Sequence, residues 1–330
     1  MKELLNKLTS INGVSGNEEN VAKFITEQMK EHVDEIKLDA MGNLICIKKG
    51  TGKKIMLAAH MDEVGIIVTH IEDNGFLRFT GLGGINQFAS LYQKIIFNND
   101  VIGVVGYEED LEEFKDLKIG KMYIDIGVKS KEEAEKKVSL GDVAAFIGAF
   151  TNNEGVIISK ALDDRIGCAI LIELAKTLNS TNNEIYFVFT TQEELGLRGA
   201  KTAAYSVNPD ISFVVDVTGT GDTPKAKPAP IKCGNGPIIK IMDRASIIHP
   251  KVKEILIGAA EASNIHYQLK VATIGGTDAG VISLSREGVP TGVISIPCRY
   301  LHSPAEVIDI NDALEAVKLL GKVICEKIEL

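Results

Sequence analysis

Short apolar runs that stop at a carboxylate or an imidazole, with helical stretches between them, constrain this chain most. From about Gly155 onward the hydrophobic pattern predicts strands over 156–160, 185–190, 211–217, 238–242, 267–272 and 292–296. Helical spacing predicts helices over 165–178, 197–205, 250–263, 278–286 and 312–327. Strands that alternate with helices bury both faces of a sheet, so the expected fold is α/β: a mostly parallel mixed sheet sandwiched by helices. An earlier apolar run, 55–59, ends in His60-Met61-Asp62 and has the same character. It is preceded by strands over 35–38 and 43–47. Before those comes a helix entered through Ser15-Gly16-Asn17-Glu18, which reads as a capping box ahead of Val21, Phe24, Ile25 and Met29.

Between these two parts the texture changes. Six short β-like runs, 65–70, 76–80, 94–97, 101–106, 122–126 and 143–149, are separated by Gly-rich or Asn/Asp turns. Asn98-Asn99-Asp100 reads as a hairpin tip, and one helix is capped by Ser130 and Glu133. The expected organisation is a catalytic α/β domain formed by residues 1–63 and 155–330, with residues 64–154 inserted as a small β-barrel-like domain.

Composition narrows the function classes. The chain has 330 residues, with 45 Asp plus Glu against 36 Lys plus Arg, and a net charge of −9. This balance argues against non-specific nucleic-acid binding, which needs clustered cations. Apolar stretches reach about ten residues before a charge breaks them, short of the ~20 that a bilayer-spanning helix needs. The charged N-terminal segment lacks the apolar core of a leader, and the five cysteines stand far apart. A cytoplasmic protein with buried free thiols, and with neither nucleic acid nor membrane as partner, is the expectation.

Ligands in open α/β sheets gather beyond the carboxyl ends of the strands, and four places there carry titratable groups. His60 and Asp62 end one strand; alternate residues of an extended chain point the same way, so Asp62 is placed to take the second ring N–H of His60. Asp163-Asp164 opens a helix: one Asp suffices for capping, and Arg165 neutralises only part of the doublet. Glu193-Glu194 follows an apolar strand, where two neighbouring carboxylates can divide metal binding and proton transfer. Asp216 ends a third strand, and His302 precedes the last helix, which Ser303-Pro304-Ala305-Glu306 is expected to cap. Together, His60, Asp163, Glu194, Asp216 and His302 form one mixed imidazole–carboxylate constellation, suited to zinc, manganese or cobalt. Three carboxylates and one hydroxide balance the charge of two divalent ions, provided that one carboxylate bridges. H-E-x-x-H, G-x-S-x-G and the P-loop pattern are absent. Gly81-Leu82-Gly83-Gly84 and Gly219-Thr220-Gly221 fail the dinucleotide pattern and read as turns.

The segments AAHMDEVG, ALDDR, TTQEELGLRGA, VVDVTGTGDTP, IGGTDAG and RYLHSPAEV resemble, in order, the signatures of the tetrahedral (glutamyl/deblocking) aminopeptidases, some of which are labelled endoglucanase or cellulase M. That resemblance implies a dinuclear-metal exopeptidase fold acting on short peptides, with two divalent ions per chain: zinc first, cobalt or manganese as alternatives. It implies that His60 and Asp216 hold one ion, Glu194 and His302 the other, and that Asp163 bridges. It further implies Glu193 as general base and Asp62 as the support of His60. The inserted domain is expected to dimerise the chain, and the dimers to build a tetrahedral dodecamer. The insert departs from the family where a Lys/Pro/His-rich stretch is replaced by the acidic 108–115. Arg198 is either a surface ion-pair residue or a selector for acidic N-terminal residues. Two rival readings are a glycoside hydrolase, which zero Trp disfavours, and a non-catalytic assembly protein.

Overall fold

The computed structural model describes residues 1–111, 113–178, 180–226 and 231–328. Its centre is an eight-stranded mixed sheet. The order is Glu35–Leu38, Leu44–Lys48, Glu184–Thr190, Lys54–His60, Ile211–Gly219, Thr291–Cys298, Ile238–Met242 and Gln268–Val271. The four strands from Glu184–Thr190 to Thr291–Cys298 run parallel, with Thr190 opposite His60 and Asp216 opposite Ser295. The strand Lys54–His60 shows why both faces must be covered. Ile55, Leu57 and Ala59 point into one apolar cluster, Met56 and Ala58 into the other. The first cluster is closed by helices Lys2–Ser10, Glu19–Met29, Leu162–Thr177, Pro250–Ala262 and Ile310–Cys325. The second is closed by Arg198–Val207 and Ala279–Ile282, where Ala200, Ala203, Ala204 and Ala279 let the backbones approach closely.

The middle of the chain forms a closed six-stranded antiparallel barrel, Gly65–Ile71, Leu77–Leu82, Met122–Asp125, Ile102–Tyr107, Lys94–Phe97 and Val143–Phe146. Pairing of the first strand with the last closes it. It has its own aliphatic core, including Ile66, Leu77, Ile95, Val105 and Ile124. Ser130 caps the barrel's helix Lys131–Glu135 by accepting from Glu133 N, and Asn98–Asp100 turns the hairpin between Lys94–Phe97 and Ile102–Tyr107. Of the acidic stretch 108–115, Glu112 lies outside the described residues. Among the described residues, no helix is long and apolar enough to cross a membrane. All five cysteines are free; Cys46, Cys168 and Cys298 are buried, whereas Cys233 is half-buried and Cys325 exposed.

Three local expectations are corrected by tertiary contacts. Ser15 does not cap the helix Glu19–Met29, whose N-cap makes no side-chain bond; the Ser15 hydroxyl donates instead to Asp62 Oδ2 at 2.6 Å. The strand Val156–Ser159 does not enter the central sheet. It pairs antiparallel with Thr151–Asn153 and Glu306–Asp309 in a separate small sheet. Glu306 therefore begins a buried strand and caps nothing; Asp309 caps the last helix by accepting from Asn311 N at 2.9 Å.

Arg165 does not turn toward the acidic doublet beside it. Fully buried, it donates to the carbonyls of Met61 at 2.7 Å, Leu8 at 2.5 Å and Ile11 at 2.8 Å, and more weakly to Gly13. One guanidinium thus ties the N-terminal segment to the end of the His60 strand. Removing one partner of such a network leaves several buried acceptors without donors. Arg165→Met is expected to lower the unfolding free energy by about 3–5 kcal/mol. Denaturant titration measures this; an unchanged midpoint would show the network to be dispensable.

Candidate metal centre

The parallel strands deliver their carboxyl ends to one place, and the loops beyond them turn sharply. Ala161, Gln192, Leu197 and His302 all have positive φ, a conformation that costs an L-residue about 1–2 kcal/mol and is held only by tertiary contacts. The Asp163–Asp164 peptide is cis. The loops bring His60, Asp163, Glu193, Glu194, Asp216 and His302 to the wall of one cavity of about 1050 Å³.

Within it, the carboxylate of Asp163 lies between two imidazoles. Its Oδ1 is 3.1 Å from His60 Nε2 and its Oδ2 is 3.4 Å from His302 Nε2. Asp216 Oδ1 stands 3.9 Å from His60 Nε2, and Glu194 Oε1 3.1 Å from His302 Nε2. Ligands about 2.1 Å from a tetrahedral ion lie about 3.4 Å from one another. Two sets of side chains bring their ligand atoms within 4.8 Å of one another, as holding a cation requires: His60 with Asp163 and Glu194, and His60 with Asp164 and Asp216. Each ring's tautomer is fixed from behind. His60 Nδ1 faces the carbonyl oxygen of Asp62 at 3.0 Å, and His302 Nδ1 that of Gly84 at 2.8 Å. A carbonyl only accepts, so Nδ1 carries the proton in both rings and Nε2 faces the carboxylates. The Gly83-Gly84 segment is thus more than a turn: a Cβ on Gly84 would stand 3.0 Å from the His302 ring.

Asp62 meets His60 through its backbone carbonyl; its carboxylate, 3.5 Å from Nδ1, accepts from Ser15 and from the amides of Glu193 at 2.9 Å and Glu194 at 3.1 Å. Burial alone would raise the Asp62 carboxyl, but His60, Ser15 and the Glu193 amide hold it below its ordinary value. Two residues to which sequence reasoning gave no part in the site, Glu306 and the second Asp of the doublet, support the centre. Glu306 accepts from Asp163 N at 3.0 Å and His302 N at 2.8 Å, fixing both residues at once. Asp164, fully buried, accepts from Gly167 N at 3.0 Å and His60 N at 3.3 Å. A buried, uncapped Glu just past a candidate ligand was the available signal for Glu306, but the capping pattern concealed it. Arg198 stays exposed, 3.4 Å from Gln192 Oε1, and is not among the residues lining the cavity. Lys240, Arg244 and Lys270 line it instead.

The electrostatics ask for cations. Burial pushes the Asp216 carboxyl up to about 7, with the charge of Asp163 adding to it. Burial likewise lifts Asp164 and Glu193 well above the carboxylate range. Asp163 goes the other way: burial would raise it, but the two imidazoles hold it well below its ordinary value. A volume with this many carboxyls must gather protons or metal ions.

A family model described as M42 glutamyl aminopeptidase matches residues 42–319. A protein of Acetivibrio thermocellus, provisionally named an aminopeptidase, is 55% identical over 325 residues, 98% of each chain. An aminopeptidase structure from the archaeon Desulfurococcus kamchatkensis superposes with a TM-score of 0.95 at 41% identity, covering 98% of this chain and 94% of that one. The Pyrococcus horikoshii TET1 peptidase, which can assemble into a tetrahedron or a large octahedral shell, superposes with a TM-score of 0.89 at 34% identity, covering 98% and 99%.

The imidazoles generate a prediction. In the metal-free protein, burial disfavours their charged forms, but the carboxylates outweigh it, raising His60 well above its ordinary value and His302 to about 12. The His302 value lies above pH 7.5, so that ring is charged there, and a metal ion must displace its proton. Calorimetric titration of chelator-treated protein with zinc, in two buffers of different ionisation enthalpy, is expected to show release of at least one proton per chain. Uptake of zinc with no proton release would contradict this arrangement.

Proposed function

The chain belongs to the M42 glutamyl aminopeptidase family, and from that premise we propose that it is a metal-dependent aminopeptidase removing N-terminal residues from short peptides. The observation that carries the reading is the Asp163 carboxylate, with one oxygen toward each imidazole. In this reading His60 and Asp216 hold one divalent ion, Glu194 and His302 the other, and Asp163 bridges. Zinc is the first candidate, with cobalt or manganese as alternatives. When bound, such ions supply a Lewis acid for the scissile carbonyl and a water of lowered pKa.

The chain's own residues then have defined tasks. Glu193 lines the cavity, and among the described residues none donates a hydrogen bond to its carboxyl. It is free to take the proton of the attacking water and pass it to the leaving amine. Asp62 holds the Glu193 and Glu194 amides, keeping both carboxyls aimed at the cavity. Glu306 holds the backbone of Asp163 and His302. The carboxylates also favour a charged α-amine at the substrate's end. Residues 64–154 act in this reading as an inserted dimerisation domain, and the dimers build a closed shell such as the tetrahedral one of the TET1 peptidase. Against the glycosidase reading, among the described residues lining the cavity there is no Phe, Tyr or Trp on which a sugar ring would stack.

Three outcomes test this. Glu193→Gln is isosteric but accepts no proton; it is expected to keep both ions and lose roughly 10²–10⁴ in kcat on aminoacyl-p-nitroanilides. Near-normal turnover at full metal occupancy would refute the assignment. His302→Ala is expected to halve the metal count in elemental analysis, whereas an unchanged count would remove His302 from the ligand set. Matched free and N-acetylated peptides, followed by mass spectrometry, should give ragged loss from the free terminus only. Internal fragments would indicate an endopeptidase.

A further inference from the structure

The turn that carries Glu193 and Glu194 leaves its strand with four successive backbone N–H groups, and none donates to another backbone group. Thr191 N donates to Asn43 Oδ1 at 3.0 Å, Gln192 N to Glu18 Oε1 at 3.0 Å, and the next two to the Asp62 carboxylate at 2.9 and 3.1 Å. Three side chains from the first 62 residues therefore replace the ladder that ended at Thr190. Gln192 takes a left-handed conformation, φ +53°, in which a residue with a Cβ is strained unless its surroundings hold it. Glu18 accepts from its N–H, and Arg198 N donates to its carbonyl at 3.2 Å.

We propose that Glu18 is a positioning residue for the Glu193–Glu194 turn, its carboxylate fixing Gln192 and thereby the direction in which both glutamates enter the cavity. The proposal rests on the reading of that site given above. Glu18 is buried, 5% exposed, and one oxygen serves two amides: Gly16 N at 2.7 Å and Gln192 N at 3.0 Å. The first bond shapes the turn at Gly16, φ +86°, beside Ser15, whose hydroxyl reaches Asp62. One carboxylate thus braces the turn directly through Gln192, and indirectly through the Ser15–Asp62 bond. It does so without serving its own helix, since the helix Glu19–Met29 receives no side-chain cap from it. Nor is Glu18 part of the apolar cluster that packs this helix through Val21, Ala22, Ile25 and Met29. A role confined to helix stability leaves the bond to Gln192, 174 residues away, unexplained.

The test compares Glu18→Ala, Glu18→Gln and, as an exposed neighbour control, Glu19→Ala, in the metal-loaded full-length protein. Glu18→Ala frees the Gln192 amide and is expected to lower kcat by roughly 10–100-fold at saturating metal, since misplacement by about 1 Å costs of that order. KM is expected to stay within about threefold, because the cavity wall is intact. The metal concentration for half-activation should rise, because Glu194 is aimed by the same turn. Glu18→Gln keeps an acceptor oxygen and is expected to recover most of the lost kcat; Glu19→Ala should behave as wild type. Wild-type kcat in Glu18→Ala would overturn the proposal. So would equal damage in the Gln variant, or a loss that merely tracks the folded fraction measured by circular dichroism. Glu193→Gln, assayed alongside, separates the two claims: if it remains active, the reading of the site fails, whatever Glu18 shows.

Discussion

The carboxylate of Asp163, set between the Nε2 atoms of His60 and His302, is the contact around which the structure is organised. It joins the end of a central strand to a loop some 240 positions further along the chain, through a residue that belongs to neither. Burying that group is costly unless its charge is matched on both sides. The surroundings meet this requirement in layers: two imidazoles in front, and the Glu306 carboxylate on its backbone amide behind. Each ring is in turn anchored by a carbonyl that fixes its tautomer.

That arrangement explains why the sheet and the barrel are not independent. Gly84, just beyond the barrel strand Leu77–Leu82, supplies the carbonyl behind His302 and presses its backbone against the ring. Glu63, directly before the barrel, forms a buried ion pair with Lys160 at 2.6 Å and also accepts from Gly13 N. Both of these contacts pass beside the cluster of carboxylates, and an apolar one joins Val14 and Leu195 to Leu82, Val143 and Ala145 of the barrel.

The N-terminal segment has a comparable role from the opposite side. Arg165 gathers its carbonyls, Ser15 reaches Asp62, and Glu18 and Asn43 take amides from the loop after Thr190. These contacts are polar, buried and long in sequence separation. Such bonds contribute modestly to net stability but are expensive to leave half-made, and so they define one geometry where apolar packing alone would tolerate several.

Period and composition alone determined a good part of this protein. Aliphatic alternation located the central strands and the barrel strands to within a few residues. Strand ends carrying His60, Glu193-Glu194 and Asp216 marked side chains that line one cavity. These features are local, because side-chain period and strand termination are set by neighbours in the chain. Three features were not legible. Ser15 and Glu18 satisfy a capping pattern, yet their side chains go to Asp62 and Gln192. Glu306 satisfies another, yet it sits on a strand beneath Asp163 and His302. The strand Val156–Ser159 reads as one more member of the parallel sheet, yet pairs elsewhere. In each case a local preference worth about 1 kcal/mol competes with a buried carboxylate or amide that would otherwise be unpaired, at a cost of about 1–3 kcal/mol. Avoiding the unpaired group outweighs the local preference, and that cost exists only once distant segments have been brought together.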